Sequence, residues 1–318
     1  MKRTFFLALI AASMLPLVSH AQLAGHNVAG DLGLTSGSQP PPGFYIMPSY
    51  FRYEADTLRD GNGDKIPPII PQGNAIESDA LLFGFMWVSD FKILGGNFGA
   101  SIWPSMTNNA IEFPAFPALN SKTSTGFGDL YVQPISLGWH TPRADYIAGL
   151  GIYAPTGDFD IAGAENRGLG MWSYEVYGGT TLYFDEAKSW HFAAFAAYET
   201  HGKKDGTDTR VGDLLTLEGG FGKSFMEGAA SVGIAYFAQW KLTNDDFGLD
   251  YTLPGGPLLE KHEKFAFGPE VTIPLASKRT LFGFLTLRYV WETGVVQSIE
   301  GDSFMATIAF PVPSIPLQ

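Results

Sequence analysis

The chain has 318 residues, 45% of them hydrophobic and only 16% charged, with no cysteine and a formal net charge of −12. That acidic balance makes nucleic acid a poor partner, and the lack of cysteine removes disulfides, thiolate metal sites and cysteine nucleophiles. Glycine supplies 38 residues, about 12% against an ordinary ~7%. Such usage weakens helix interiors but suits strands that are crowded on one face or bent.

Residues 1–21 read as a secretory signal peptide. Lys2 and Arg3 precede an apolar run from Phe5 to Val18, and Ser19-His20-Ala21 offers a small-residue cleavage site. The apolar run is short for a membrane anchor. Cleavage would leave 18 basic residues against 32 acidic ones, a net charge of −14. The mature sequence contains no apolar run long enough for a transmembrane helix. Residues 22–43, "QLAGHNVAGDLGLTSGSQPPPG", are rich in glycine, serine and proline, and Pro40-Pro41-Pro42 stiffens their junction with the first alternating segment. They are expected to form either a disordered periplasmic leader, the favoured reading, or a plug inside a barrel.

From residue 44 the sequence alternates with a period of two over twelve segments: 44–53, 76–88, 92–103, 126–139, 145–154, 171–184, 189–199, 211–223, 229–241, 263–276, 280–292 and 301–310. The connections alternate long and short. Those at 54–75, 104–125, 155–170, 200–210, 242–262 and 293–300 are the long ones; those at 89–91, 140–144, 185–188, 224–228 and 277–279 are the short ones. This arrangement places every long loop at one end, as outer-membrane barrels do, and a Greek-key sandwich has no reason to produce it. The expectation is therefore an all-β protein, a transmembrane antiparallel β-barrel of about 12 strands over residues 44–310, followed by a C-terminal tail, 311–318. All seven tryptophans then fall near strand ends: Trp103, Trp172, Trp240 and Trp291 at the outer rim, Trp87, Trp139 and Trp190 at the periplasmic rim. Their inward or outward direction is left open, with Trp103 a candidate for the lumen.

The stretch "KFAFGPEVTIPLA", residues 264–276, separates the faces. In a barrel Phe265, Phe267, Val271, Ile273 and Leu275 meet lipid, and the alternate residues line the lumen. The lumen face so defined holds Glu175, Glu218, Gln239, Lys241, Lys264, Glu270, Thr272, Arg288 and Glu292. A turn at 277–279 sets Lys264 opposite Glu292 and Glu270 diagonal to Arg288. These pairs read as a selectivity constriction or, the reading favoured, as a structural ion-pair ladder. Phe237, Phe282 and Phe284 share the face, either as an apolar lining for weakly polar solutes or as plain filling.

Other candidates are weaker. "RDGNGDK", residues 59–65, spaces Asp60, Asn62 and Asp64 as calcium ligands, but Lys65 stands where glycine is needed and Pro71 where a bidentate glutamate belongs. It is read as an exposed turn, and "TNDDFGLD", residues 243–250, as a solvated acidic loop that could touch lipopolysaccharide through divalent cations. The five histidines of the mature chain, His26, His140, His191, His201 and His262, have no motif-level serine partner.

"HNVAGDLGLTSGSQPPPGFY", "GFGDLYVQP" at 126–134 and "YAPTGDFD" at 153–160, in that order, resemble the phenol-degradation meta-pathway family, also called the MetA-pathway or SphA-like family. The resemblance implies an outer-membrane β-barrel transporter taking up small hydrophobic or aromatic compounds, and it carries no catalytic residue. One departure from outer-membrane barrels at large is that Pro311 and "VPSIPLQ" come after the terminal aromatic Phe310. The expectation is a passive channel in the outer membrane of a Gram-negative bacterium, with no enzyme activity, cofactor or metal. Its partners would be outer-membrane lipid and lipopolysaccharide, the assembly machinery and a small apolar or aromatic solute. An outer-membrane lipid-modifying enzyme and a secreted β-sandwich binding protein are the alternatives.

Overall fold

A computed structural model describes residues 24–66, 75–112, 121–160, 166–248, 261–278, 280–313 and 315–316. The expected signal peptide, 1–21, lies outside the described residues. The described residues form twelve principal strands: β1 (Gly43–Leu58), β2 (Ala75–Ile93), β3 (Gly96–Trp103, continuing as Ser105–Glu112), β4 (Leu130–His140), β5 (Ala144–Ala154), β6 (Ser173–Tyr183), β7 (Trp190–His201), β8 (Leu214–Phe225), β9 (Ala230–Lys241), β10 (Glu263–Ala276), β11 (Thr280–Val296) and β12 (Ile299–Val312). β3 is interrupted at Pro104, which has no N–H to give a ladder.

Each strand pairs antiparallel with its sequence neighbours. β1 also pairs with β12, Phe44 to Val312 through Leu58 to Ile299, so the sheet closes. Closure leaves no sheet edge and satisfies the strand backbones internally, the condition for crossing a membrane with strands.

The two faces are sorted as a membrane barrel requires. Phe265, Phe267, Ile273, Val232, Ile234, Val176 and Leu182 are exposed on the outside, whereas Glu175, Glu218, Glu270 and Arg288 are buried within. A soluble protein sorts them the other way. Trp87, Trp172, Trp190 and Trp291 are exposed outward, and Trp240 stands edge-on to Phe265 with centroids 5.6 Å apart. Trp103 instead turns into the lumen.

The structure differs from the sequence expectation in several places, among them β1, which runs to Leu58, and β3, which continues as Ser105–Glu112 into the expected long connection 104–125. β2 runs on to Ile93, and its turn is Leu94-Gly95, with φ of 51° and 82°; positive φ at both positions matches the twist of a tight hairpin. β11 reaches Val296 and β12 starts at Ile299, so the last connection, expected among the long ones, is only Gln297-Ser298. β12 continues to Val312, and Ile315–Pro316 pairs with Thr280 and Leu281, so the expected tail is partly tied to the wall. The acidic loop at 243–250 is not simply solvated: Asp245 is buried against Lys241 at 2.5 Å and accepts from the Gly212 N–H at 2.8 Å. In "RDGNGDK" the Asp60 carboxylate accepts the Asn62 and Asp64 N–H groups at 2.8 and 2.9 Å, closing a turn on itself.

Candidate functional site

The lumen is occupied by the chain's own residues 24–42, which run from the end carrying the long connections to the end carrying the short turns. A segment with no partner strand must find acceptors for its N–H groups elsewhere, and inward carboxylates supply them. The His26 and Asn27 N–H groups donate to Glu199 at 2.8 and 3.0 Å, and the Asn27 side chain donates to Glu175 at 3.1 Å. Gly30 and Leu32 N–H both donate to Glu218 at 3.0 Å. Leu34 N–H faces Glu270 at 3.3 Å, and Arg288 donates to the Gly30 carbonyl at 2.9 Å. Near the short-turn end Ser38 donates to Asp145 at 2.9 Å and Gln39 to Ser136 Oγ at 3.3 Å.

His26 anchors the long-loop end. Its Nε2 lies 2.9 Å from Asp129 Oδ2 and its Nδ1 2.7 Å from Ser173 Oγ. Its ring stacks on Tyr153 at 4.9 Å, and Tyr153 on Tyr131 at 4.2 Å.

Glycine lets the segment lie this close. Gly30 adopts φ 92° against the Phe237 ring, and a Cβ on Gly33 would collide with the Glu270 carboxylate. Leu34, 1% exposed, fills a notch whose floor is Gly220, Gly222 and Gly233, where any Cβ would meet its methyl groups.

The residues read as lumen-facing in the sequence divide into three sets. Glu175, Glu218, Glu270 and Arg288 converge on the segment, and Phe237 packs with Ala266, Val290 and Ala29 beneath it instead of lining open space. Lys264 and Glu292 form a separate pair, 3.1 Å apart, with the Tyr53 hydroxyl bridging them at 3.1 and 3.0 Å. The third set stays apart. Phe282 is 47% exposed near the short-turn end, where the register slips between Leu275 and Ala276. Phe284 opposes Pro274 and Ala309. The register of the two ion pairs is also corrected by two residues. Glu270 is directly opposite Arg288, with Nε to Oε2 at 2.7 Å, and Ala266 opposes Glu292, which leaves Lys264 diagonal.

Sequence reasoning missed His26, Asp129, Ser173 and Glu199. Glu199 lies on the same inward face as Ala193, Phe195 and Ala197, and β7 is apolar on both faces, so its alternation points nowhere. Among the described residues no group of three or more His, Asp or Glu is arranged to hold a metal. Replacing Glu218 by Ala is expected to free the Gly30 and Leu32 N–H groups. Charge-assisted bonds contribute about 1.5–3 kcal/mol, so hydrogen exchange at those two amides should accelerate by at least roughly tenfold. Unchanged exchange in the folded variant would show that other contacts hold the segment.

The segment leans on one side of the lumen and leaves a cavity of about 610 Å³ beside the β1–β3 wall. Met47, Phe51, Leu82, Met86 and Trp103 line that uncharged wall, and Asp31, Glu175, Glu270 and Arg288 border the cavity from the plug and the strands behind it.

A closed barrel with an apolar outer surface and a polar lumen threaded by its own N-terminal segment defines a membrane-spanning β-barrel of the outer-membrane channel type. A family model described as "Putative MetA-pathway of phenol degradation" matches residues 55–308, and the chain belongs to that family. The fold is similar to that of an outer membrane channel from Pseudomonas putida F1, with a TM-score of 0.69 and 15% identity over 90% of this chain and 99% of that one. Looser likenesses are the beta domain of the Bordetella autotransporter BrkA (TM-score 0.45, 14% identity, 84% of this chain and 99% of that one) and the CymD monoaromatic hydrocarbon channel (TM-score 0.41, 10% identity, 88% and 90%). No curated protein matches the sequence.

Proposed function

We propose that the protein is a passive outer-membrane channel of a Gram-negative bacterium that admits small apolar or aromatic compounds, and that residues 24–42 serve as its plug. The long connections would then face outward and the short turns the periplasm, with lipid and lipopolysaccharide around the wall and the assembly machinery as a transient partner. One observation carries the reading: on its β1–β3 side the open part of the lumen is bounded by uncharged residues, Met47, Phe51, Leu82, Met86 and Trp103 among them, while charged residues such as Glu175, Glu270 and Arg288 border it from the side of the plug. The lumen charges face one another or the plug, as in Arg288–Glu270 and Lys264–Glu292. Charges engaged in this way offer an ionic solute little net attraction, while the Met and aromatic wall offers contact to a neutral ring. The family's description, phenol degradation, agrees with such a solute. Downhill passage requires no cofactor and no catalytic residue.

The test is uptake of labelled toluene, benzoate and benzylamine into vesicles with a lipopolysaccharide outer leaflet. The protein should accelerate toluene entry most. Faster entry of benzoate than of toluene would overturn the solute class.

A further inference from the structure

Beside the plug, two residues along from Gly233 and Glu270, the wall carries a row of hydroxyl groups that runs away from it. Ser231 is opposite Thr272, Thr272 opposite Thr286, Thr286 opposite Thr307, and Thr307 opposite Ser49, so the row crosses the five adjacent strands from β9 through β12 to β1. Thr272 Oγ1 and Thr286 Oγ1 are 2.9 Å apart, and Thr307 Oγ1 donates to Ser49 Oγ at 2.9 Å. The members on β10, β11, β12 and β1 all border the cavity. The row continues into the apolar wall, since Ser49 is directly opposite Leu82 on β2. Beside Leu82, Gly84 has no side chain, and the Trp103 indole lies over it.

We propose that this row is a recognition subsite for the polar end of a neutral solute, a ring or short chain bearing one hydroxyl or carbonyl, whose apolar body rests on Met47, Leu82, Met86 and Trp103. The inference rests on the channel reading above and names its solute more narrowly. A hydroxyl has one donor and two acceptor positions. Each of the two hydroxyl pairs uses one donor, so each leaves a second O–H free and acceptor positions unfilled on the cavity side. A row of this kind can give a hydrogen bond to a carbonyl or take one from a phenol or alcohol. It supplies no charge to offset the desolvation of a carboxylate. In the adjoining row Glu270 and Arg288 satisfy each other at 2.7 Å. A plain hydrocarbon fits the apolar wall but leaves the hydroxyls without a partner once it displaces water from them.

The experiment is fluorine NMR titration of the full mature chain in lipid nanodiscs, with empty nanodiscs as the blank, using 4-fluorophenol, fluorobenzene and 4-fluorobenzoate. Wild-type protein should bind 4-fluorophenol tightest and 4-fluorobenzoate weakest. Combining Thr272→Val, Thr286→Val and Thr307→Val keeps the side-chain shape and removes three hydroxyls. It should weaken 4-fluorophenol about fivefold or more, the effect of one lost neutral hydrogen bond, and leave fluorobenzene unchanged or tighter. Thr286→Val alone should show the same direction, and Thr286→Ser should restore wild-type binding. If wild-type protein binds fluorobenzene and 4-fluorophenol equally, or the valine variants keep full 4-fluorophenol affinity, the subsite is overturned while the channel reading stands. If wild-type protein prefers 4-fluorobenzoate, or binds none of the three, the channel reading fails with it.

Discussion

Deleting residues 24–38 is expected to raise single-channel conductance severalfold in planar bilayers while the barrel still assembles. The closed ladder does not depend on the plug. Every strand finds its partners among the other eleven, and β1 and β12 close on each other from Phe44–Val312 to Leu58–Ile299. What the deletion removes is the column of backbone now held between Glu199, Glu218 and Glu270 on one side and the open cavity on the other. Those carboxylates, with Arg288, would be left in a water-filled lumen, so their loss of partners carries a small desolvation penalty. Cations should gain more conductance than anions, because the carboxylates freed from the plug outnumber Arg288. An unchanged conductance in a correctly folded deletion would mean that residues 24–42 do not limit the pore.

Val271→Arg is expected to destabilise the barrel by about 2–4 kcal/mol, the penalty for a basic side chain on the lipid face near the bilayer midplane. Thr272→Arg, one residue on, should be much better tolerated. Val271 lies opposite Val232 on β9 and Leu287 on β11, within the outer apolar band. Thr272 borders the cavity, where an arginine can reach water. Folding titrations into liposomes measure both variants. Equal penalties, or the reverse order, would contradict the assignment of faces.

The sequence determined the barrel. Period-two alternation places each side chain on one face or the other whatever its partners are, so the facing of "KFAFGPEVTIPLA" could be read directly. The spacing of turn-rich connections set the number of strands. Which charges meet was also legible for Lys264–Glu292 and Glu270–Arg288, because a tight turn limits the possible registers. The register itself was two residues off: irregularities between Glu263 and Phe265 and between Leu275 and Ala276 are small backbone choices made by packing, not by composition.

Only the tertiary structure decided where residues 24–42 go. Taken alone the segment has no periodicity and little apolar surface, which reads as a flexible leader. The groups that hold it come from far along the chain, with Glu175, Glu199 and Glu218 lying 148 to 188 residues away and Glu270 236 residues away. The hydroxyl row of Thr272, Thr286, Thr307 and Ser49 was hidden for the same reason. Each is an ordinary inward residue on its own strand, and they form a row only because closing the barrel brings β12 against β1 and three registers align at one level.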